Sequence, residues 1–136
     1  MKHNMNIRVY YEDTDAGGIV YHANYLKFAE RARTEFLRDI GFKNSELHKN
    51  VGVIFVVRHI EIDYLKTAHL DDSLQVKTTI TEFKNSSFIM HQPIFKGDVM
   101  IADISVVLVC VDVDNYKPVR LPKNIKEAFS LYIENV

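Results

Sequence analysis

Residues 11–38 read YEDTDAGGIVYHANYLKFAERARTEFLR, and two different patterns meet inside that stretch. The second half carries a helical period. Tyr25, Phe28, Ala29, Ala32 and Phe36 recur at the spacing of one helix face, while Lys27, Glu30, Arg31, Glu35 and Arg38 fall elsewhere. Asn24 is placed to cap the start, and Gly41 to end the helix. The first half has no period. Asp13 to Gly18, with two aspartates and adjacent glycines, marks a tight, specialised loop that runs straight into the helix.

Toward the N-terminus, Met5 to Tyr11 alternates as a first strand should, with Ile7 and Val9 on one face. Beyond the helix, Phe42 to Asn50 reads as a connection with a short helical turn. The character then changes. Val53 to Tyr64, Ser73 to Phe83, Phe88 to Phe95 and Met100 to Val113 read as long strands, and Lys84 to Ser87 as a hairpin turn. Tyr64 to His69 and Lys96 to Asp98 supply connections, and Ile125 to Ile133 is a short amphipathic helix. A strand, one long helix and four strands in succession predict an α+β fold with an antiparallel sheet. No repeat or Pro/Gly-rich linker divides the chain, so residues 1–136 read as one domain.

Composition narrows the function classes. The chain is 47% hydrophobic and 26% charged, the balance of a folded globular protein rather than a disordered one. A net charge of −1 argues against a nucleic-acid partner. Arg31, Arg33 and Arg38 alternate with Glu30, Glu35 and Asp39, which reads as a solvated helix face. Cys110 is the one cysteine, so neither an intrachain disulfide nor a thiolate zinc site can form; set in an apolar run, it reads as a buried small hydrophobe. No apolar stretch is long enough for a membrane span, and MKHNMNIRVYY lacks the core of a signal peptide. The expected location is cytoplasmic.

The loop before the helix is where chemistry is expected. The free N–H groups and positive dipole end of a helix start can hold an oxygen that turns negative when an acyl carbonyl is attacked. A carboxylate beside it can attack the carbonyl or deprotonate water. Asp13, Asp15 and His22 are the candidates. Taken on residue types alone, Asp-Thr-Asp before a helix is equally ordinary turn chemistry, and His22 an ordinary loop histidine.

The run Asp13-Thr14-Asp15-Ala16-Gly17-Gly18-Ile19-Val20-Tyr21-His22-Ala23-Asn24-Tyr25 resembles the signature of the 4-hydroxybenzoyl-CoA thioesterase family, an Asp-x-Asp-x-x-Gly-x-Val loop followed by an aromatic or His pair. The continuation LKFAERARTEFLRDIGF and the later FVVRHIEIDYLKTAHLDD resemble its YbgC-type branch, which is associated in bacteria with the Tol–Pal envelope system. The resemblance covers nearly the whole chain. It implies a hotdog fold, a sheet wrapped around a central helix, and hydrolysis of acyl-CoA thioesters with neither metal nor cofactor. It also implies Asp15 as nucleophile or general base, and the backbone N–H at His22 as the group polarising the carbonyl. Gly18 matches the glycine that lets the thioester approach, and Tyr21 and Tyr25 fall where the family lines the acyl site. Asp13 is assigned to holding the loop through backbone N–H bonds.

Other positions are weaker candidates. Arg58 and His59 sit in a strand, with Arg58 a candidate for the substrate path or a neighbouring subunit; Lys84 and Lys96 are candidates for CoA phosphates. His3, His48 and His91 show no metal-ligand spacing. Two alternatives stay open: hydratase chemistry, which uses a different motif, and a non-catalytic module binding acyl-CoA or acyl carrier protein. Finally, Met100 to Val113 is apolar on both faces, with Val107, Val109 and Val111 opposite Ile104, Val106, Leu108 and Cys110. One helix covers only one face, so a partner is expected on the other, in a homo-oligomer: a dimer or a tetramer.

Overall fold

The computed structural model describes residues 1–134. Its sheet comprises β1 (His3–Arg8), β2 (Val53–Tyr64), β3 (Ser73–Phe83), β4 (Ser87–His91), β5 (Ile94–Lys96) and β6 (Val99–Asp112). The strands are ordered β1-β3-β4-β6-β2, every pairing is antiparallel, and β5 lies between β3 and β6. The helix α1 (Asn24–Asp39) packs on one face of this sheet, which gives the hotdog arrangement. After α1 come short helical turns at Asn44–Glu46 and Leu47–Val51, and a C-terminal helix, Lys123–Ser130, adds Ile125 and Phe129 to the core.

The helical period locates the core. Tyr25, Phe28, Ala29, Ala32, Phe36 and Leu37 are all buried, and the facing strands contribute Leu74, Val76, Ile80, Phe88, Ile104 and Val106. Phe36 and Phe88 both contact the ring of Phe129. Gly41 ends α1 as expected: at φ +101° it takes the left-handed conformation, its N–H reaches Arg38 O and the next N–H, of Phe42, reaches Leu37 O.

Four expectations need correction. The first strand covers His3–Arg8, because Tyr11–Asp13 turns into a short 3-10 helix. The C-terminal helix covers Lys123–Ser130, starting behind Pro122 and stopping before Ile133. The run Phe88 to Phe95 is split at Gln92 and Pro93. Gln92 is fully buried there, its Nε2 donating to Ala29 O at 3.0 Å and to Thr78 Oγ1 at 3.1 Å. That inward turn interrupts the ladder between β4 and β5. The outer face of β6 is not open either: Val109 and Val111 are buried within the chain, and Val107 is half-buried. Unpartnered apolar surface lies instead on β2, an edge strand, where Val56 is 37% and Val57 45% exposed.

Candidate active site

The site is built from the loop between β1 and α1. Asp13 is its anchor: the carboxylate accepts the N–H of Tyr10 at 2.8 Å, and its carbonyl accepts the N–H of Tyr21 at 3.0 Å. That carbonyl also accepts the Asn24 side-chain amide at 2.8 Å. Asn24 therefore ties the loop down rather than capping α1, whose N-cap is Ala23. Asp13 is buried, so these bonds satisfy groups that water does not reach.

Two residues on, Asp15 is exposed at the turn. Its Oδ1 accepts the Gly17 N–H at 2.8 Å, its N–H donates to Ile19 O at 2.9 Å, and the Gly18 N–H returns to Asp15 O at 3.1 Å. The closed turn needs Gly18 at φ +79°, a left-handed conformation costly for a residue with a Cβ. Val20 then donates to Ala68 O at 2.9 Å, stitching the loop to the chain that leaves β2.

Asp15, His22, Tyr25, Tyr64, Leu65 and Lys66 line a cleft of about 320 Å³. Tyr25 is 3% exposed; its hydroxyl oxygen accepts the Ala68 N–H at 3.2 Å, and burial raises the phenol above its ordinary pKa. Among the described residues, neither the His22 nor the Ala23 N–H makes a hydrogen bond. Both lie at the positive end of α1, and His22 lines the cleft with Asp15, which sets a helix-start residue with an unpaired N–H beside a carboxylate.

The structure thus brings Asp15, His22 and Tyr25 into one cleft, with Gly18 in the turn beside it. Tyr21 is exposed at the rim, its ring centroid 4.5 Å from that of His22. Arg58 stands apart. It occupies an irregularity in the β2–β6 register between Val57 and His59, is exposed, and lines a separate small cleft with Phe83 and Lys84. Lys96 is engaged by Asp72 at 3.0 Å, and Lys84 lies 3.9 Å from Glu82. The Cys110 thiol is buried in the core, and burial pushes it up to about 11, consistent with an inert side chain.

Sequence reading missed Tyr64, Leu65 and Lys66, because nothing local distinguishes them from a connection. Tyr64 closes the site across 42 residues of sequence, its hydroxyl donating to the His22 carbonyl at 3.0 Å. Arg33 also departs from expectation. It is half-buried, burial lowers its pKa, and its Nη1 donates to Gln92 Oε1 at 3.0 Å. It lines a second cleft, of about 250 Å³, with Glu30, Phe55, Val57, Met90 and Leu108.

Residues 9–129 match the family model described as the thioesterase-like superfamily. The chain is 46% identical over 123 residues to the acyl-CoA thioesterase YbgC of Haemophilus influenzae, covering 90% of each protein. It is 45% identical over 124 residues to the acyl-CoA thioester hydrolase YbgC of Escherichia coli, covering 90% of this chain and 92% of that one. A solved structure titled "Probable Thioesterase from Bartonella henselae" superposes with a TM-score of 0.86 at 42% identity, over 90% of this chain and 100% of the other.

Proposed function

This chain belongs to the thioesterase-like superfamily, and from that membership we propose how it works. It is a YbgC-type acyl-CoA thioesterase, hydrolysing acyl-CoA to the free carboxylic acid and CoA. In our reading Asp15 carries the reaction. Either its carboxylate attacks the thioester carbonyl carbon, the CoA thiolate departs and water cleaves the resulting anhydride to the free acid, or it takes a proton from a water that attacks the carbonyl directly as the thiolate departs. The charge that develops on the carbonyl oxygen falls to the N–H of His22 at the start of α1. Gly18 keeps the turn open for the thioester, while Tyr21 and Tyr25 flank the acyl group. The observation that carries this reading is the pairing, in one cleft, of Asp15 with His22, a helix-start residue whose N–H makes no hydrogen bond among the described residues.

The catalytic unit in this reading is residues 1–136 as one domain, assembled as a homo-oligomer. Strand β2 is a 12-residue edge with exposed valines, a form that invites pairing with a second copy. Antiparallel pairing of two β2 edges sets the Tyr64 end of one chain beside the Phe55 end of the other. The Asp15 cleft of one protomer then continues into its partner's Arg33 cleft, and Arg58, near the strand midpoint, lies close to the two-fold axis. Such dimers can pair again into tetramers. The enzyme is read as cytoplasmic, tied to the Tol–Pal system, and open to acyl carrier protein as a second acyl donor. No helix among the described residues is long and apolar enough to cross a membrane.

The test is thiol release from acyl-CoAs of graded chain length, wild type against Asp15→Asn. Equal rates for the two proteins would end the assignment of Asp15.

A further inference from the structure

The Tyr64 hydroxyl donates to the carbonyl oxygen of His22 at 3.0 Å. That carbonyl and the N–H of Ala23 are opposite ends of one peptide plane. A peptide whose oxygen accepts a hydrogen bond is polarised and becomes a stronger donor at its nitrogen. The Ala23 N–H makes no hydrogen bond among the described residues and stands at the N-cap of α1, beside the equally unpaired His22 N–H.

Tyr64 is well placed to hold this peptide still. It is the last residue of β2, so the sheet fixes its backbone through pairing with Ala102. Its ring meets Tyr25 edge-on, with centroids 5.7 Å apart, and His22 edge-on at 6.2 Å. Tyr25 is buried and bonded to Ala68, so the hydroxyl of Tyr64 is aimed by a rigid neighbour rather than by a mobile loop. One phenol therefore bridges the sheet edge to the turn that precedes the helix.

We propose that Tyr64 is a positioning residue for thioester hydrolysis. Its hydroxyl orients the His22–Ala23 peptide and so fixes His22, whose own N–H is the donor to the thioester oxygen; the Ala23 N–H, at the other end of that peptide, reports its polarisation. Tyr64 keeps its proton throughout, and no bond is made or broken at it. The inference rests on the assignment of Asp15 and the helix start given above. Its physical basis is preorganisation: donors fixed before reaction stabilise the developing oxyanion without reorganisation in the transition state.

Tyr64→Phe preserves the ring and removes only the hydroxyl. Complete loss of an oxyanion donor lowers turnover by roughly a hundredfold or more, and loss of its alignment alone should lower kcat by about five- to thirtyfold. KM should stay within about twofold, because the interaction strengthens only in the transition state. The melting temperature should be unchanged, and the backbone amide resonance of Ala23 should move upfield as its peptide loses polarisation. Asp15→Asn is measured in parallel. If that variant is as active as wild type, the underlying site assignment fails whatever Tyr64 does. If it is inactive while Tyr64→Phe keeps wild-type kcat, only the role of Tyr64 is overturned. A fall in kcat with the Ala23 amide unmoved, or with a general loss of stability, would mark a merely structural tyrosine and overturn it equally.

Discussion

Oδ1 of Asp15 accepts the N–H of Gly17 at 2.8 Å, so the backbone two residues on fixes one oxygen of that carboxylate. The other oxygen makes no hydrogen bond among the described residues and is available at the cleft. Gly17 permits the arrangement, since a Cβ there would stand 3.2 Å from Oδ1. An asparagine at position 15 keeps an oxygen that can accept the same N–H, so the turn can persist when the charge is removed.

Asp15→Asn should therefore fold like wild type and lose turnover on the order of a hundredfold or more, the usual consequence of removing a base or nucleophile. Thiol release and circular dichroism on the same preparation check both halves. Activity within a few-fold of wild type would show that another group does the chemistry.

His22→Ala should cost much less than Asp15→Asn, because the backbone donor survives the substitution. The imidazole makes no side-chain hydrogen bond among the described residues, although it contacts the rings of Tyr21 and Tyr64. Steady-state kinetics on folded protein decide the matter. A collapse equal to that of Asp15→Asn would assign the imidazole itself a catalytic role.

Val56→Lys places a charge on the exposed edge of β2 without touching either cleft, and edge charges oppose strand pairing. The variant should shift toward monomer in light scattering and lose activity in parallel, if the acyl site draws on two chains. A wild-type monomer with full thioesterase activity at working concentration would sink the shared site.

His91 supplies a pH test of stability. Its Nε2 lies 2.7 Å from Asp103 Oδ1 and its Nδ1 2.8 Å from Glu134 Oε1. Burial disfavours the charged ring, but the two carboxylates outweigh it, and the imidazole titrates above its ordinary value. A raised folded pKa means that the stabilisation is fully present below the unfolded value, about 6.5, and is lost as pH rises through the folded pKa. Urea unfolding should show His91→Gln less stable than wild type by roughly 1 kcal/mol near pH 6, for hydrogen bonds to partly exposed charges. The gap should narrow by pH 8.5. A gap independent of pH would show that the ring stays neutral.

Much of this protein was legible in its sequence because local burial leaves a local period. The 3.6-residue recurrence from Tyr25 to Phe36 located α1 to within a residue at its start, and the β-branched runs placed β2 and β3 at their observed ends. The Asp13 to Gly18 loop stood out because no regular pattern accommodates two aspartates followed by two adjacent glycines. Asp13 as the residue that holds the loop came from the resemblance, and its carboxylate does accept the Tyr10 N–H.

The rest was decided by contacts that no local pattern encodes. Gln92 turns inward and splits a strand because its amide meets Ala29 and Thr78, distant in sequence, in the core. Arg33 shares the helix surface with solvated charges, yet it is half-buried because it reaches the buried amide of Gln92 across the fold. Tyr64 looks like the end of any strand until the fold carries it to the carbonyl of His22. The elements, the helix face and the glycine loop before the helix could all be read from neighbours a few residues apart. The second wall of the cleft, the burial of the outer face of β6 and the open edge of β2 belong to the tertiary structure alone. A side chain's period records that it is buried; only the packed chain determines against what.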